Sequence, residues 1–524
     1  MSGKQRRVSF KMADKADDKK LLDETEWKKM DINGVEASSP ESNSMFERLF
    51  VKLYGNIPMK ERYRVGWLAA TLFFIIGGYW LLRSLKDPIV ATIVGVEYIP
   101  KCKILSLFVV FGLVTIYNKL VDIFPKHQLF YIIGGFYAAV FFIISLLLDH
   151  PTIGIHNTEA DPSRVIGWVS YCTIESFGSI CISLFWAFVN SSIDLEGAKS
   201  AYGLIIAGAQ IGSIMGPTIA TQAVSFGIPR CYSLGSLAMA LMVVMVWGYV
   251  KIFGILDEEK AGKKKKNAGV MEGAVLFWKH HYVKGLFCVS CLFMVEVTIL
   301  DFSMKVLAKH EFDQMFPGDP ALASRSFAAF MGKFGQVTNL ISFTFSLLGT
   351  SFVIRRIGLP RTLLAFPSLC LVMISIVYLY PSLWVVFCAM MLLKGFSYAL
   401  NNPCKEILYQ PTSSAVKFKS KSWIDTFGAR GSKAAGSLVT NAFADSLPGL
   451  LTYGSFTAMG VSAFLIFVAR YMGERFTYLT ENGELVGEED EEELPKTVEV
   501  AAANNGTSCA EDAEEEAAAP TTKA

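Results

Sequence analysis

Apolar runs of about 17 to 25 residues recur along most of the chain, and they constrain its fold more than any other feature. A helix of that length crosses a hydrocarbon core of about 30 Å. The composition, 52% hydrophobic and 18% charged over 524 residues, is unlike that of a soluble domain. The sequence therefore predicts an all-α membrane protein with about 12 transmembrane helices. The runs lie near 66–82, 103–120, 128–148, 165–189, 201–226, 231–254, 284–304, 336–354, 362–380, 383–401, 427–446 and 451–470.

A polar segment with four consecutive lysines at 263–266 separates the runs into two groups of six. Two parallel six-helix repeats around a midplane site are the organisation of major-facilitator carriers. Lysine and arginine are concentrated in the loops of one face, which predicts that both termini are cytosolic. We expect a disordered N-terminal tail at 1–62, a six-helix bundle at 63–256, a basic cytosolic linker at 257–283, a second six-helix bundle at 284–472 and an acidic disordered tail at 473–524.

A short glycine motif occurs once in each half. Gly208-Ala-Gln-Ile-Gly-Ser-Ile-Met-Gly216 and Gly428-Ala-Arg-Gly-Ser-Lys-Ala-Ala-Gly436 share a Gly-Ala opening and a closing glycine at the same spacing. Small residues allow another helix or a ligand to approach the backbone closely. The second copy holds Arg430 and Lys433, which are three residues apart and share a helix face. The motif indicates two related halves whose binding chemistry has diverged.

Ionisable side chains lie inside several predicted spans, where burial of a charge is costly and marks a candidate functional site. Arg83 and Lys86 close the first span, while Arg430 and Lys433 occupy the eleventh. In a six-plus-six carrier these spans line the central cavity, so the four cations are expected to converge there from opposite halves. Arginine forks and lysine point charges together suit a polyphosphate. The other charges at membrane depth, which can instead pair among themselves or reach an interface, are Asp87, Glu175, Glu296, Asp301, Lys305 and Lys394.

Other kinds of chemistry find little support in the sequence. The ten cysteines and six histidines lack the spacing of metal ligands, and Cys288 and Cys291 lie inside an apolar run, where packing explains them. The Walker phosphate loop is absent, and no nucleophile or cofactor constellation accompanies the spans. The net charge of +2 does not indicate nucleic-acid binding. We therefore expect neither an enzyme nor a cofactor, and we expect the lipid bilayer and an anionic substrate as partners.

Four motifs together resemble the ATP/ADP translocase family of plastids and intracellular bacteria. They are Arg83-Ser-Leu-Lys-Asp87, Glu175 with Leu184-Phe-Trp-Ala-Phe-Val-Asn190, Val295-Glu-Val-Thr298, and Gly428-Ala-Arg430 with Lys433. The resemblance implies a major-facilitator fold and nucleotide transport, with Lys86, Glu175, Glu296 and Lys433 as charged residues needed for transport. The expected substrate-binding residues are Arg83, Lys86, Glu175, Asn190, Glu296, Arg430 and Lys433.

The expected function is the exchange of ATP, ADP or related nucleotides by alternating access in a monomer. The cations would hold the phosphates, while Glu175 and Glu296 would pair with them in the empty carrier or carry a coupling proton. Aromatic residues such as Trp80 and Phe185 are candidates to stack on a base, although packing is the more ordinary role. A plastid-related or other endomembrane is expected, with the plasma membrane as an alternative. Two other functions stay open: a proton-coupled carrier of another phosphorylated or organic anion, and a membrane scaffold without transport.

Overall fold

The computed structural model describes residues 59–192, 195–254, 270–348, 350–413 and 416–487. The N-terminal tail up to residue 58, much of the basic linker and the acidic tail from residue 488 onwards lie outside these ranges. Within them the chain is almost entirely helical, and Thr412 and Val486 form an isolated bridge. The described residues thus confirm the all-α prediction.

Twelve long helical segments occupy the described ranges, and they are numbered here in chain order. In the first half they are α1 (Met59–Val90), α2 (Ile99–Ile123), α3 (Lys126–Leu148), α4 (Val165–Ser192), α5 (Leu195–Ala220) and α6 (Ile228–Phe253). In the second half they are α7 (His281–Met315), α8 (Pro320–Leu348), α9 (Leu359–Leu379), α10 (Leu383–Leu408), α11 (416–442) and α12 (Leu447–Asn482). Short helices at Ala223–Phe226, Val270–Lys279 and Thr350–Ile357 lie between them.

By length and hydropathy alone, 8 continuous helical stretches of the described chain are suited to cross a membrane. The first of them, Glu61–Val121, covers most of both α1 and α2. Helices α5, α8 and α11 are less apolar, since they hold buried polar residues such as Ser213, Asn339 and Ser437 that face other helices. The protein is a multi-pass membrane protein, and each of these three helices has buried polar residues as well as exposed apolar ones.

Helix α8 differs in position from its prediction. The apolar run suggests 336–354, whereas α8 occupies Pro320–Leu348. The side chain of Asp319 accepts a hydrogen bond from the backbone N–H of Leu322 at 2.9 Å, and a proline opens the first turn. This combination is a helix start signal. Hydropathy misses it because the early turns of α8 also contain polar and charged residues.

The two glycine motifs pack equivalent pairs of helices. Gly216 of α5 lies against the backbone of Gly77 on α1, and Gly436 of α11 lies against the backbone of Val295 on α7. At both places an added side-chain carbon would meet backbone atoms, so the glycines permit the close approach. Gly77 and Val295 therefore occupy matching positions in the two halves. This geometry agrees with the predicted pseudo-symmetric, six-plus-six arrangement.

The two halves meet mainly through α8 with α5 and α1, and through α2 with α11. Asn339 of α8 donates to the carbonyl oxygen of Ser213 on α5 at 2.6 Å. On the other side, the ring centroids of Phe111 on α2 and Phe427 on α11 are 6.0 Å apart. A cavity between these contacts is lined by residues of α1, α2, α4, α7, α8, α10 and α11.

Candidate functional site

The central cavity is lined by both halves and is strongly basic. Its volume is about 160 Å³, which is room for several water molecules, since about 10–15 Å³ is enough for one. The lining contains seven basic and three acidic side chains, which leaves a formal excess of four positive charges. These side chains are Arg83, Lys86, Lys103, Lys305, Lys394, Arg430 and Lys433, with Asp87, Glu175 and Asp301.

One cluster of charges joins α1 to α4. Lys86 donates a hydrogen bond to Oε1 of Glu175, and Nη1 of Arg83 lies 3.9 Å from the same oxygen. Arg83 also donates to the Tyr79 hydroxyl at 2.8 Å, one helical turn earlier, and its guanidinium carbon is 5.4 Å from the ring centroid of Trp80. These contacts fix the guanidinium at the cavity wall. Because one carboxylate faces two cations, the cluster retains one formal positive charge.

Helix α11 supplies cations from the second half. Arg430 donates a hydrogen bond to the Ser179 hydroxyl on α4, so its guanidinium reaches across the boundary between the halves. Lys433 follows almost one turn later and has an exposed side chain in the cavity lining. Its ammonium group forms no hydrogen bond or ion pair with any other described residue. Lys433 is therefore a cation available to a ligand.

A second cluster of charges joins α1, α2, α7 and α10. Lys305 donates to Oδ2 of Asp301, and Nζ of Lys103 is 3.1 Å from the same oxygen. Oδ1 of Asp301 is 2.8 Å from Nζ of Lys394. Lys305 also reaches Oδ2 of Asp87, at 2.9 Å. The charged residues of this cluster thus pair with one another, as the sequence analysis allows for charges at membrane depth.

Lys103 is the member of that cluster that sequence reasoning missed. It stands at the first position of the predicted second span, where a lysine is easily taken for a residue at the membrane interface. In the structure α2 begins earlier, at Ile99, so Lys103 lies one turn inside the helix. The sequence signal that could have identified Lys103 is its place as a basic residue at the edge of an apolar run.

One expected site residue, Glu296, is not brought to the cavity, and the side chain of another is not described. Glu296 is fully buried in α7, where the Ser462 hydroxyl of α12 donates to its Oε2, and it forms no ion pair within the described ranges. Five residues separate it from Asp301, which is about 140° around a helix of 3.6 residues per turn. When Asp301 faces the cavity, Glu296 must face elsewhere. Asn190 lies in α4, but its side chain falls outside the described residues.

The aromatic candidates divide in the same way. Trp80 lines the cavity beside Arg83, whereas Phe185 is completely buried and packs edge-on against Trp186. Tyr398 also lines the cavity and is 39% exposed, although no motif in the sequence singles it out. The accessible rings of the site are thus Trp80 and Tyr398 rather than Phe185.

The fold is that of a multi-pass membrane protein with a major-facilitator-like arrangement of helices around a central cavity. Among solved structures, the nucleoside transporter NupG has a TM-score of 0.55 and 13% sequence identity, and it covers 79% of this chain and 99% of its own. A bacterial homologue of the iron transporter ferroportin, in an inward-facing state, has a TM-score of 0.57 and 12% identity, and covers 80% of this chain and 100% of its own. At these identities the likeness concerns the fold alone.

The chain belongs to the TLC ATP/ADP transporter family, whose model matches residues 40–387. ADP,ATP carrier protein 2, chloroplastic, of Arabidopsis thaliana is 26% identical and covers 74% of this chain and 69% of its own length. ADP,ATP carrier protein 1 of Chlamydia muridarum is also 26% identical, with 74% and 82% covered. ADP,ATP carrier protein 4 of Rickettsia felis is 22% identical, with 84% and 95% covered. The resemblance predicted from the four motifs is confirmed.

Proposed function

We propose that this protein exchanges ATP, ADP or related nucleotides across a membrane by alternating access of its central cavity. The observation that carries the proposal is Lys433, an ammonium group in the cavity without a partner among the described residues. Family membership and the names of the relatives, which are ADP,ATP carriers, support adenine nucleotides as the substrate.

The charge of the cavity suits such a substrate. A nucleoside triphosphate carries about three to four negative charges, because the terminal phosphate has a second pKa near 6, as other phosphate monoesters do. The cavity lining has four more basic than acidic side chains. Bound phosphates would therefore compensate most of the excess. An occluded cavity without them would hold uncompensated charge, which is costly to remove from water. That cost favours return of the carrier with a nucleotide bound, which is exchange.

The site residues would divide the work between the two halves. Arg83 and Lys86 come from α1, and Arg430 and Lys433 come from α11. A polyphosphate that contacts both pairs would draw the halves together and so couple binding to closure. Glu175 holds Lys86 in the structure. It would release Lys86 when a phosphate, a multivalent acceptor, takes its place.

The proposal also includes three predictions about the organisation of the protein. They are the division into bundles at 63–256 and 284–472, the cytosolic position of both termini, and a monomeric carrier. The positions of α1 to α6 and α7 to α12 support the division. The chloroplastic relative supports a plastid-related membrane. Asn190 stays a predicted binding residue, because its side chain is not described.

A proton-coupled anion carrier is a second candidate, and Glu296 favours it. The carboxyl group of Glu296 is fully buried and has no basic partner in the described helices, so no neighbouring positive charge balances it when it is ionised. Taking up and releasing a proton is the means by which its charge can change. Such a group suits a coupling-ion site. Under this alternative a protonophore would abolish concentrative uptake, and internal nucleotide would not be needed.

Equilibrium binding of labelled ATP to the purified protein tests the role of Lys433. Lys433→Gln removes the cation that has no partner, and we expect the Kd for ATP to rise about tenfold, the equivalent of about 1.4 kcal/mol. Lys119→Gln, at an exposed position near the end of α2, is the matched control and should bind like the wild type. Equal affinity of all three proteins would remove Lys433 from the phosphate site.

A further inference from the structure

A second cavity lies at the face of the protein on which α3 and α5 end. Its volume is about 220 Å³, which is larger than the central cavity at about 160 Å³. Residues within three segments line it: the loop after α3 (149–156), the segment that leads into α6 (225–230) and the start of α8 (321–325). We call it the loop cavity. Among the described residues it shares no lining side chain with the central cavity, so it is a separate site.

The loop cavity contains two arginines without a counter-ion. Arg230 stands in the first turn of α6, and Arg325 stands in the second turn of α8. Neither guanidinium forms a hydrogen bond or an ion pair with another described residue. Asp149, the acidic side chain of the described lining, is held by the ring of His156, with Oδ1 and Nε2 3.1 Å apart. With His156 counted as neutral, two arginines and one aspartate leave a formal excess of one positive charge.

The chemistry of these groups suits a phosphate. A guanidinium presents parallel N–H donors that match two oxygens of one phosphate group, and it stays charged at physiological pH. Helix α6 adds backbone donors, because its N-cap residue is Gly227 and no side chain caps its first N–H groups. We propose that the loop cavity binds a phosphate group through Arg230 and Arg325, outside the central cavity.

Contacts outside the loop cavity hold its walls in place. The guanidinium of Arg164 donates to five backbone carbonyl oxygens, four of them in its own loop, and so fixes the segment that carries His156. At the start of α8, the hydroxyl oxygen of Ser324 is 2.7 Å from that of Thr92, and both residues are buried. A site whose walls are ordered before binding loses less conformational entropy when the ligand arrives.

Two sources can supply a phosphate group at this position. One is a phosphate ester or inorganic phosphate in the surrounding water. The other is the headgroup of an anionic lipid, since basic pockets between the ends of membrane helices bind such headgroups. Both present the same oxygens to the arginines. Because the loop cavity and the central cavity are separate, phosphate binding here can be measured whether or not the protein exchanges nucleotides.

Protection of an introduced cysteine tests the site. Ser225 is exposed and lines the loop cavity, so Ser225→Cys places a thiol there. In the purified full chain in detergent, saturating inorganic phosphate should slow its reaction with N-ethylmaleimide about fivefold or more, relative to chloride at the same ionic strength. The wild-type protein gives the reaction of the native cysteines. Thr158→Cys, in the loop after α3 but outside the lining, should react equally fast in both salts.

The two arginines are tested in the same assay. Arg230→Gln and Arg325→Gln, each combined with Ser225→Cys, should lose most of the protection, because each variant lacks one proposed ligand of the phosphate. Arg361→Gln is the matched control. Arg361 is exposed in the first turn of α9 and follows Gly358-Leu-Pro as Arg230 follows Gly227-Ile-Pro. Protection that persists in both arginine variants would overturn the site.

The surrounding lipid distinguishes the two sources. If the ligand is a free anion, inorganic phosphate protects Ser225→Cys in detergent and in phosphatidylcholine vesicles alike. If the ligand is a lipid headgroup, vesicles that contain phosphatidylglycerol protect it without added phosphate, and Arg230→Gln abolishes that protection. Either result supports the phosphate site. Absence of protection both by inorganic phosphate in detergent and by phosphatidylglycerol in vesicles would overturn it.

Discussion

Asp87 and Lys305 occupy matching positions in the two halves and pair with each other, with Oδ2 and Nζ 2.9 Å apart. Asp87 follows Gly77 by ten residues, Lys305 follows Val295 by the same number, and the glycine motifs pack on Gly77 and Val295 alike. Two equivalent positions thus hold opposite charges. The ion pair therefore joins α1 of the first half to α7 of the second half.

Glu175 competes with the substrate for Lys86 and Arg83 in the proposed mechanism. Glu175→Gln removes a charged acceptor that a phosphate must displace, and hydrogen bonds to charged groups contribute about 1.5–3 kcal/mol. We therefore expect the Kd for ATP to fall about tenfold, and exchange to become slower because release is slower. Glu474→Gln, exposed near the end of α12, is the control. Equilibrium binding together with exchange rates checks this, and a weaker affinity in Glu175→Gln would contradict the competition.

Arg430 should need its planar fork as well as its charge. Arg430→Lys keeps the positive charge but removes the bidentate geometry that fits two phosphate oxygens. We expect the Kd for ATP to rise about tenfold, with a smaller change for a nucleoside monophosphate, which presents fewer oxygens. Arg470→Lys on the exposed face of α12 serves as the matched control. Equal loss for both nucleotides would argue against bidentate binding at this residue.

The close packing of α1 and α5 gives a prediction on stability. A side-chain carbon at Gly216 would meet the backbone of Gly77, so Gly216→Ala must push the helices apart, at a cost of about 1–3 kcal/mol. Gly431 of α11 has open space where its side chain would be, so Gly431→Ala should be neutral or stabilise the helix by about 0.5–1 kcal/mol. Thermal unfolding in detergent measures both. A Tm for Gly216→Ala at or above that of Gly431→Ala would contradict the packing argument.

Glu296 distinguishes the two transport modes. Glu296→Gln keeps an oxygen that can accept from Ser462 and removes the group that could exchange a proton. If the protein is proton-coupled, uptake by the wild type should respond to an imposed pH gradient and uptake by the variant should not. If it is a nucleotide exchanger alone, neither protein should respond. A response of equal size in both would exclude Glu296 as the proton site.

The fold was largely predictable from the sequence because apolar run length reports membrane spans directly. Helix α8 was misplaced, since its start depends on capping by Asp319 rather than on hydropathy. Among site residues, Lys86, Glu175, Arg430 and Lys433 do meet in the cavity, but Glu296 does not. The sequence places Glu296 in the correct helix but does not determine whether it faces the cavity. Which side of a helix faces the cavity depends on the helices that pack around it.

Uptake of labelled ATP into proteoliposomes that contain ADP, ATP or buffer alone tests whether the protein exchanges nucleotides. We expect rapid uptake when either nucleotide is inside and very little uptake with buffer, because the empty basic cavity closes poorly. Lys433→Gln in the same vesicles should lower the uptake that internal ADP supports. Uptake that is equally fast into vesicles without nucleotide, or absent under every loading, would contradict nucleotide exchange by this protein.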